Sequence, residues 1–114
     1  LQRKKRKMKR FKQSDSGDRG WFIGPFEKAI FKTDAFEVAH GFNYKGEHSP
    51  NHIHKVATEI NLITYGCVQV NGEIFRSGDG FIMEPGDPCE CNYLEDTYTL
   101  VVKIPGVLGD KYYI

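Results

Sequence analysis

The sequence predicts an all-β protein, an antiparallel barrel or sandwich, and three observations lead to that prediction. From Trp21 onward, short apolar runs alternate with turn residues at spacings of about ten residues. Twelve glycines are available for those turns. No stretch of ten or more residues has a helical period, so nothing is suited to cross over between parallel strands. At 114 residues, the chain has room for one core.

The first element is a strongly basic segment. Residues 1–12 (LQRKKRKMKRFK) hold eight of the sixteen Lys and Arg residues and no acid, which leaves eight bases and fifteen acids in the rest of the chain. A segment so poor in apolar residues is typical of a solvated arm. We therefore predict a flexible tail over residues 1–19 and one barrel domain over residues 20–114. An arm that binds nucleic acid through counterion release is the less favoured alternative.

The run AFEVAHGF has the strict alternation of a half-buried strand. It places Phe36, Val38, His40 and Phe42 on one face, which we interpret as the inward face because it is the apolar one. His40 would then either line a cavity or be a hydrogen-bonded histidine of the core.

The following stretch, GEHSPNHIHK, is rich in turn residues and predicts a loop that leads into a strand at His52. Further on, Asn71-Gly72 lies between β-rich flanks, which is the strongest short-range signal for a hairpin. The run FIME ends at Pro85 and the run TYTLVVKI ends at Pro105, and both are predicted strands.

The segment NHIHKVATE places two histidines on one face of a strand, since His52 and His54 are two residues apart. Glu59 would point to the opposite face of a straight strand, but a turn or bulge through residues 55–58 would return it to the same wall. Two imidazoles and one carboxylate are a common ligand set for a divalent first-row metal, and they leave coordination positions open.

The spacing around this segment resembles the first motif of the cupin superfamily. Gly46 is followed by five residues, His52, one residue, His54, four residues, Glu59, six residues and Gly66. The resemblance extends from about Phe22 to Ile104. It implies a double-stranded β-helix, or jelly-roll barrel, with a metal on its inner wall.

The second cupin motif is present with one departure. The segment GDGFIMEPGDPCE supplies Gly78, Asp79, Pro85 and Gly86, but Cys89 stands where the motif has its last histidine. Three interpretations of Cys89 remain open. It is a thiolate ligand that favours zinc or iron, a buried inert thiol beside a three-ligand site, or part of a site that no longer binds metal.

The remaining candidate residues carry weaker signals. We predict that Cys91, on the same face as Cys89, and Cys67 both serve core packing, and that His48 is a solvated loop residue. Polar residues that could face a substrate are Asn61, Thr64, Tyr65, Arg76 and Tyr93, and nearby acids are Glu84, Asp87 and Glu90. The C-terminal pattern of Lys103, Pro105, Gly109, Asp110, Lys111 and Tyr112 resembles that of small cupins of carbohydrate biosynthesis.

Together these features predict a metal-binding protein with His52, His54, Glu59 and Cys89 as ligands of a divalent ion (Fe, Zn, Mn or Ni). The resemblance implies an enzyme of isomerase, epimerase or dioxygenase type acting on a small, polar, sugar-related molecule. A non-catalytic module that binds a small ligand is the alternative, and an assembly role with the basic tail on an anionic partner is the third. The resemblance also implies a homodimer.

The sequence also predicts a cytoplasmic protein without a membrane segment. No stretch reaches the roughly 18 to 20 apolar residues that span a bilayer, and no export signal is visible. The odd number of cysteines, three, favours a reducing compartment.

Overall fold

The computed structural model describes residues 8–114. Within them the chain forms one short 3-10 helix, Gln13–Ser16, and eleven strands. The strands are β1 Trp21–Gly24, β2 Phe31–Lys32, β3 Glu37–Asn43, β4 His48–Ile53, β5 Thr58–Tyr65, β6 Cys67–Val70, β7 Glu73–Arg76, β8 Gly80–Met83, β9 Cys89–Tyr93, β10 Thr97–Ile104 and β11 Tyr112–Tyr113.

The strands form two facing sheets, and the prediction of an antiparallel all-β fold is confirmed. One sheet has the order β2-β1-β3-β10-β5-β8 and the other β11-β4-β9-β6-β7. Every pair is antiparallel except β1 with β2. Consecutive strands often lie in different sheets, so that β4 and β5 belong to opposite sheets.

The predicted hairpin is confirmed at the turn between β6 and β7. Val70 pairs with Glu73, and Asn71 and Gly72 both have positive φ, at 49° and 85°. This is the backbone that a two-residue turn of the right twist requires. The strands predicted before Pro85 and Pro105 are also confirmed, as β8 and β10.

Steric crowding explains why the last position of the first motif is a glycine. Gly66 joins β5 to β6 with φ at 103°, and a Cβ atom there would collide with the backbone carbonyl of Asp96 and with the Thr97 side chain. Only glycine fits a left-handed backbone pressed against another strand.

The prediction of which face of β3 points inward is wrong. Glu37 and Ala39 are the buried residues of this strand, while Phe42 is 38% exposed on the other face. His40 lies on the outer side, where its Nε2 is 2.8 Å from Oγ1 of Thr64 and its ring packs against Tyr98. The assignment failed because this sheet has an apolar outer face and a partly polar inner face, the reverse of the usual pattern.

The predicted loop before His52 is also wrong, because most of it belongs to strand β4. His48 and Ser49 already pair with β9, and the register shifts between Ser49 and His52. Pro50 lies within that shift, where a strand can accommodate a residue without an N–H. The pairing continues to His52, which stands opposite Cys89.

The described part of the N-terminal segment contacts the barrel. The side-chain amide of Gln13 donates to the carbonyl oxygens of Gly20 and His40 at 2.7 and 2.8 Å, and Ser16 is buried. Residues 1–7, which hold most of the basic run, lie outside the described residues. None of the helices in residues 8–114 has the length and apolar character needed to cross a bilayer.

The apolar core fills only one part of the interior. Its buried members come from β5, β6, β8 and β9 and are packed against three partly buried aromatic rings. They are Ile63, Val68, Val70, Met83, Cys89 and Cys91, with Phe75, Phe81 and Tyr93 around them. The rest of the interior is a cavity between the two sheets.

Candidate metal centre

The cavity between the sheets has a volume of about 920 Å³ and contains all four residues predicted as metal ligands. His52 comes from β4, His54 from the turn that follows, Glu59 from β5 and Cys89 from β9. The two imidazole rings lie 5.6 Å apart between centroids. The prediction that residues 55–58 turn Glu59 back onto this wall agrees with the geometry.

His52 is oriented by the backbone. It is 7% exposed, and its Nδ1 lies 2.9 Å from the carbonyl oxygen of Pro50. A carbonyl only accepts, so Nδ1 carries the proton and Nε2 is left with a free lone pair, the arrangement usual for histidines that bind metals. Burial lowers the pKa of His52, which favours the neutral, ligating form.

His54 and Glu59 form a close pair. Nε2 of His54 lies 3.1 Å from Oε2 of Glu59, and both side chains are largely buried. Contact with this carboxylate raises the pKa of His54. Burial acts to raise the pKa of Glu59, but the His54 imidazole and the Asn61 side-chain amide, 3.2 Å from Oε1, outweigh it and lower that pKa.

A buried carboxylate fixes the turn that joins His54 to Glu59. The two carboxylate oxygens of Asp110, which is 3% exposed, accept from the backbone N–H groups of Lys55, Val56 and Ala57 at distances of 2.9 to 3.3 Å. Burial acts to raise the pKa of Asp110, but these amides outweigh it and lower that pKa. Asp110 therefore positions both partners of the pair through the backbone of the turn between them.

Cys89 lies beside a second thiol. Its Sγ is 3.8 Å from Sγ of Cys91, and both residues are buried and line the cavity. The hydrogen bond between the two sulfur atoms raises the pKa of Cys89 and lowers that of Cys91. Burial raises the pKa of Tyr93, the next residue on the same face of β9. Cys91 thus belongs to the cavity wall as well as to the core.

The side chains of the four predicted ligands are of the chemical types that bind divalent metals, and one of them has poorly satisfied ring nitrogens. Both ring nitrogens of His54 are buried, and neither makes a well-aligned hydrogen bond within the described residues, although Nε2 is close to the Glu59 carboxylate. Buried polar atoms are rarely left in that state. Across residues 8–114, no three His, Cys, Asp or Glu side chains are placed so that they could hold a metal ion as they stand. Imidazole, carboxylate and thiolate groups together suit zinc, iron or nickel.

Sequence reasoning missed a buried ion pair that lines the same cavity. Nζ of Lys103 in β10 lies 3.4 Å from Oε2 of Glu37 in β3, and both side chains are less than one-tenth exposed. Lys103 also stands opposite Glu59 in the β10–β5 register. One signal was available, because Lys103 shares a strand face with Val101 in an otherwise apolar run.

The other sequence candidates separate into two groups. Asn61 and Tyr93 line the cavity, whereas Thr64, Tyr65, Arg76, Glu84, Asp87 and Glu90 do not. His48 is exposed and pairs with Glu90 at 2.8 Å, as expected for a solvated residue, although it lies in a strand. Cys67 is buried outside the cavity, with its Sγ 3.6 Å from Nη1 of Arg76.

Comparison with known proteins gives structural matches. No protein-family model and no curated protein matches the chain. A double-stranded β-helix protein from Klebsiella pneumoniae matches at a TM-score of 0.63 and 21% identity, over 70% of this chain and 71% of that one. The pirin YhhW from Escherichia coli, solved with nickel(II), matches at a TM-score of 0.64 and 19% identity, over 77% of this chain and 39% of that one. A cupin-2 domain protein from Shewanella frigidimarina matches at a TM-score of 0.54 and 12% identity, over 67% of this chain and 76% of that one. The strand order, the two facing sheets and these matches show that the chain has the fold of a small cupin domain, the double-stranded β-helix.

Proposed function

We propose that the protein binds a divalent metal ion through His52, His54 and Glu59, with Cys89 as the candidate fourth donor. The observation that carries this proposal is the state of His54. Its two ring nitrogens are buried, neither forms a well-aligned hydrogen bond with any residue from 8 to 114, and one of them lies 3.1 Å from the Glu59 carboxylate. A metal ion would satisfy this imidazole, and the carboxylate would offset the charge of the ion. The nickel(II) in the structurally similar pirin supports the proposal.

We further propose that the protein is an enzyme of isomerase or epimerase type. When bound, the metal would polarise a substrate carbonyl as a Lewis acid or, if it is iron, support the chemistry of a dioxygenase. The Lys103–Glu37 pair lines the same cavity as the metal ligands, so it can donate and accept a proton at a bound molecule. The side-chain amide of Asn61 holds the Glu59 carboxylate in place.

The cavity favours a small polar substrate. Its wall carries charged and amide side chains, among them Glu37, Lys103 and Asn61. These polar side chains can hydrogen-bond hydroxyl and carboxylate groups, which supports a sugar or a sugar-derived acid as ligand. The C-terminal resemblance to cupins of carbohydrate biosynthesis points to the same class.

Deuterium exchange tests the catalytic proposal. Metal-loaded protein in D₂O, offered a panel of aldoses, ketoses and uronic acids, should place deuterium on the carbon next to a carbonyl, as read by NMR. The Lys103→Met variant should retain the metal and lose the exchange. Ligand binding without exchange and without oxygen uptake would support the alternative, a non-catalytic binding module. Oxygen uptake on an oxygen electrode would identify a dioxygenase instead.

We propose that the protein is a homodimer that pairs through the outer face of the larger sheet. The register aligns Val38, Val102, Ile60 and Ile82 in one row across four strands. Leu62, in the adjacent row, is 39% exposed, and Ile82 is 58% exposed. A stable interface covers about 800 Å² on each partner, and a second copy is the simplest cover for so apolar a face.

A charge at the centre of this face should separate the dimer. Leu62→Lys is expected to convert a dimer to a monomer at micromolar concentration, because a buried unpaired ammonium group opposes association. Ile74→Lys is the matched control, since Ile74 is 46% exposed on the other sheet. Light scattering after size-exclusion chromatography gives the masses. A monomeric wild type, or a Leu62→Lys variant that stays dimeric, would contradict the assignment.

The three cysteines in the described residues are all free. Free, buried thiols are usual in a reducing compartment, which supports our proposal of a cytoplasmic protein.

A further inference from the structure

The inner face of β9 presents two thiols side by side. Cys89 and Cys91 alternate along the strand with Glu90, so they project from the same face, and Tyr93 follows on it. Both thiols line the cavity rather than being enclosed by apolar side chains alone. The sequence assigned Cys91 to packing, and nothing in the proposed metal site uses it.

The separation of the two sulfur atoms suits chelation. Two thiolates bound at about 2.3 Å to one tetrahedral zinc ion stand about 3.8 Å apart, and Sγ of Cys89 lies 3.8 Å from Sγ of Cys91. A disulfide is a poorer fit, because alternate residues of a strand are separated by about 6.6 Å, near the upper limit for bridged cysteines.

A third donor is available on the neighbouring strand. His52 stands directly opposite Cys89 in the β4–β9 register and lines the same cavity. Its Nδ1 donates to Pro50, so the lone pair of Nε2 is free. Two thiolates and one imidazole are a ligand set for thiophilic d¹⁰ ions, of which zinc and cadmium are examples, and a fourth position remains open.

We propose that Cys89 and Cys91 together bind a thiophilic d¹⁰ ion as a dithiolate, with His52 as the third ligand. Each thiol loses its proton to solvent when the ion binds, so two protons are released for each ion. Because it shares His52 and Cys89 with the proposed metal site, this inference rests in part on the proposed function. It adds that the thiol pair makes the site prefer zinc over manganese, and it assigns Cys91 a role.

Cadmium is a suitable probe because thiolate-to-cadmium charge transfer absorbs in the ultraviolet. Titrating cadmium(II) into the reduced full chain should produce this band, saturating at one ion per chain. Cys89→Ser and Cys91→Ser should each remove about half of the band. Each should also weaken binding by at least the roughly 10- to 100-fold that loss of an outer-shell partner costs. Cys67→Ser is the control, and it should leave the band unchanged, because Cys67 lies outside the cavity.

Alkylation of the wild-type chain tests the same point without any variant. Bound cadmium or zinc should protect Cys89 and Cys91, but not Cys67, from a thiol-alkylating reagent in the partly denatured protein, as mapped by peptide mass spectrometry. No charge-transfer band, equal protection of all three cysteines, or a band unchanged in Cys91→Ser would overturn the inference.

The His54→Ala variant separates this inference from the proposed function. If the proposed site fails, manganese and nickel binding is absent in the wild type while the cadmium band remains. If the thiol pair fails, nickel binding persists and is lost in His54→Ala, and any cadmium band is the same in Cys91→Ser as in the wild type.

Discussion

Replacing Asp110 with alanine is expected to lower the free energy of unfolding by about 3 kcal/mol or more. The carboxylate accepts from three successive backbone N–H groups, those of Lys55, Val56 and Ala57, and Ala57 is fully buried. Each buried amide left without a partner costs about 1 to 3 kcal/mol. The same turn holds His54 against Glu59, so metal affinity should fall as well. Urea denaturation followed by circular dichroism gives the stability, and equilibrium dialysis gives the affinity.

Asp87 provides the matched control for this variant. Its carboxylate also caps a turn, accepting from the backbone N–H of Glu84 at 2.8 Å, but the site is exposed. Asp87→Ala should therefore cost about 1 kcal/mol or less, since water replaces the lost partner. Asp110→Asn should fall between the two alanine variants, because one oxygen acceptor remains. Equal losses for Asp110→Ala and Asp87→Ala would contradict the role assigned to Asp110.

The combined change His52→Ala and His54→Ala is expected to abolish metal retention and leave the fold intact. It removes two of the proposed ligands, so affinity for nickel or zinc should fall by about 100-fold or more. The melting temperature should change by only about 5 °C, equivalent to about 1 kcal/mol for a domain of this size. The effect on the fold is small because both side chains border the cavity rather than the apolar core, and the Glu59 carboxylate keeps the Asn61 side-chain amide as a partner.

The chain supplies the control in its two remaining histidines. His48 pairs with Glu90 at the surface, and His40 contacts Thr64 on the outer face of the sheet. A His40→Ala and His48→Ala variant has the same histidine count as the test variant but keeps all of the proposed metal ligands. Metal loss in both double variants, or in neither, would contradict the assignment of His52 and His54.

Features set by local backbone geometry could be predicted from the sequence. Asn71 and Gly72 identify the hairpin because few other pairs adopt positive φ twice in succession. The return of Glu59 to the wall that carries His54 could be anticipated from the cupin-like spacing, which a turn or bulge through residues 55–58 makes possible. In each case the residues whose pattern predicts the turn are the residues that form it.

Features that depend on distant parts of the chain could not be predicted in the same way. Asp110 acts on a turn more than fifty residues earlier, and Lys103 meets Glu37 across two neighbouring strands. The facing of β3 failed for a related reason: apolar alternation indicates which residues share a face but not which face is inward. Here the inward face carries Glu37, because it borders a cavity.

Metal content per chain, measured by elemental mass spectrometry on protein purified without a metal-affinity step, tests the central claim most directly. We expect close to one equivalent of zinc, iron, nickel or manganese in the wild type, and almost none in the His52→Ala and His54→Ala variant. A wild-type protein that is free of metal, and stays so when these ions are offered under reducing conditions, would contradict the metal site and favour a metal-free binding module.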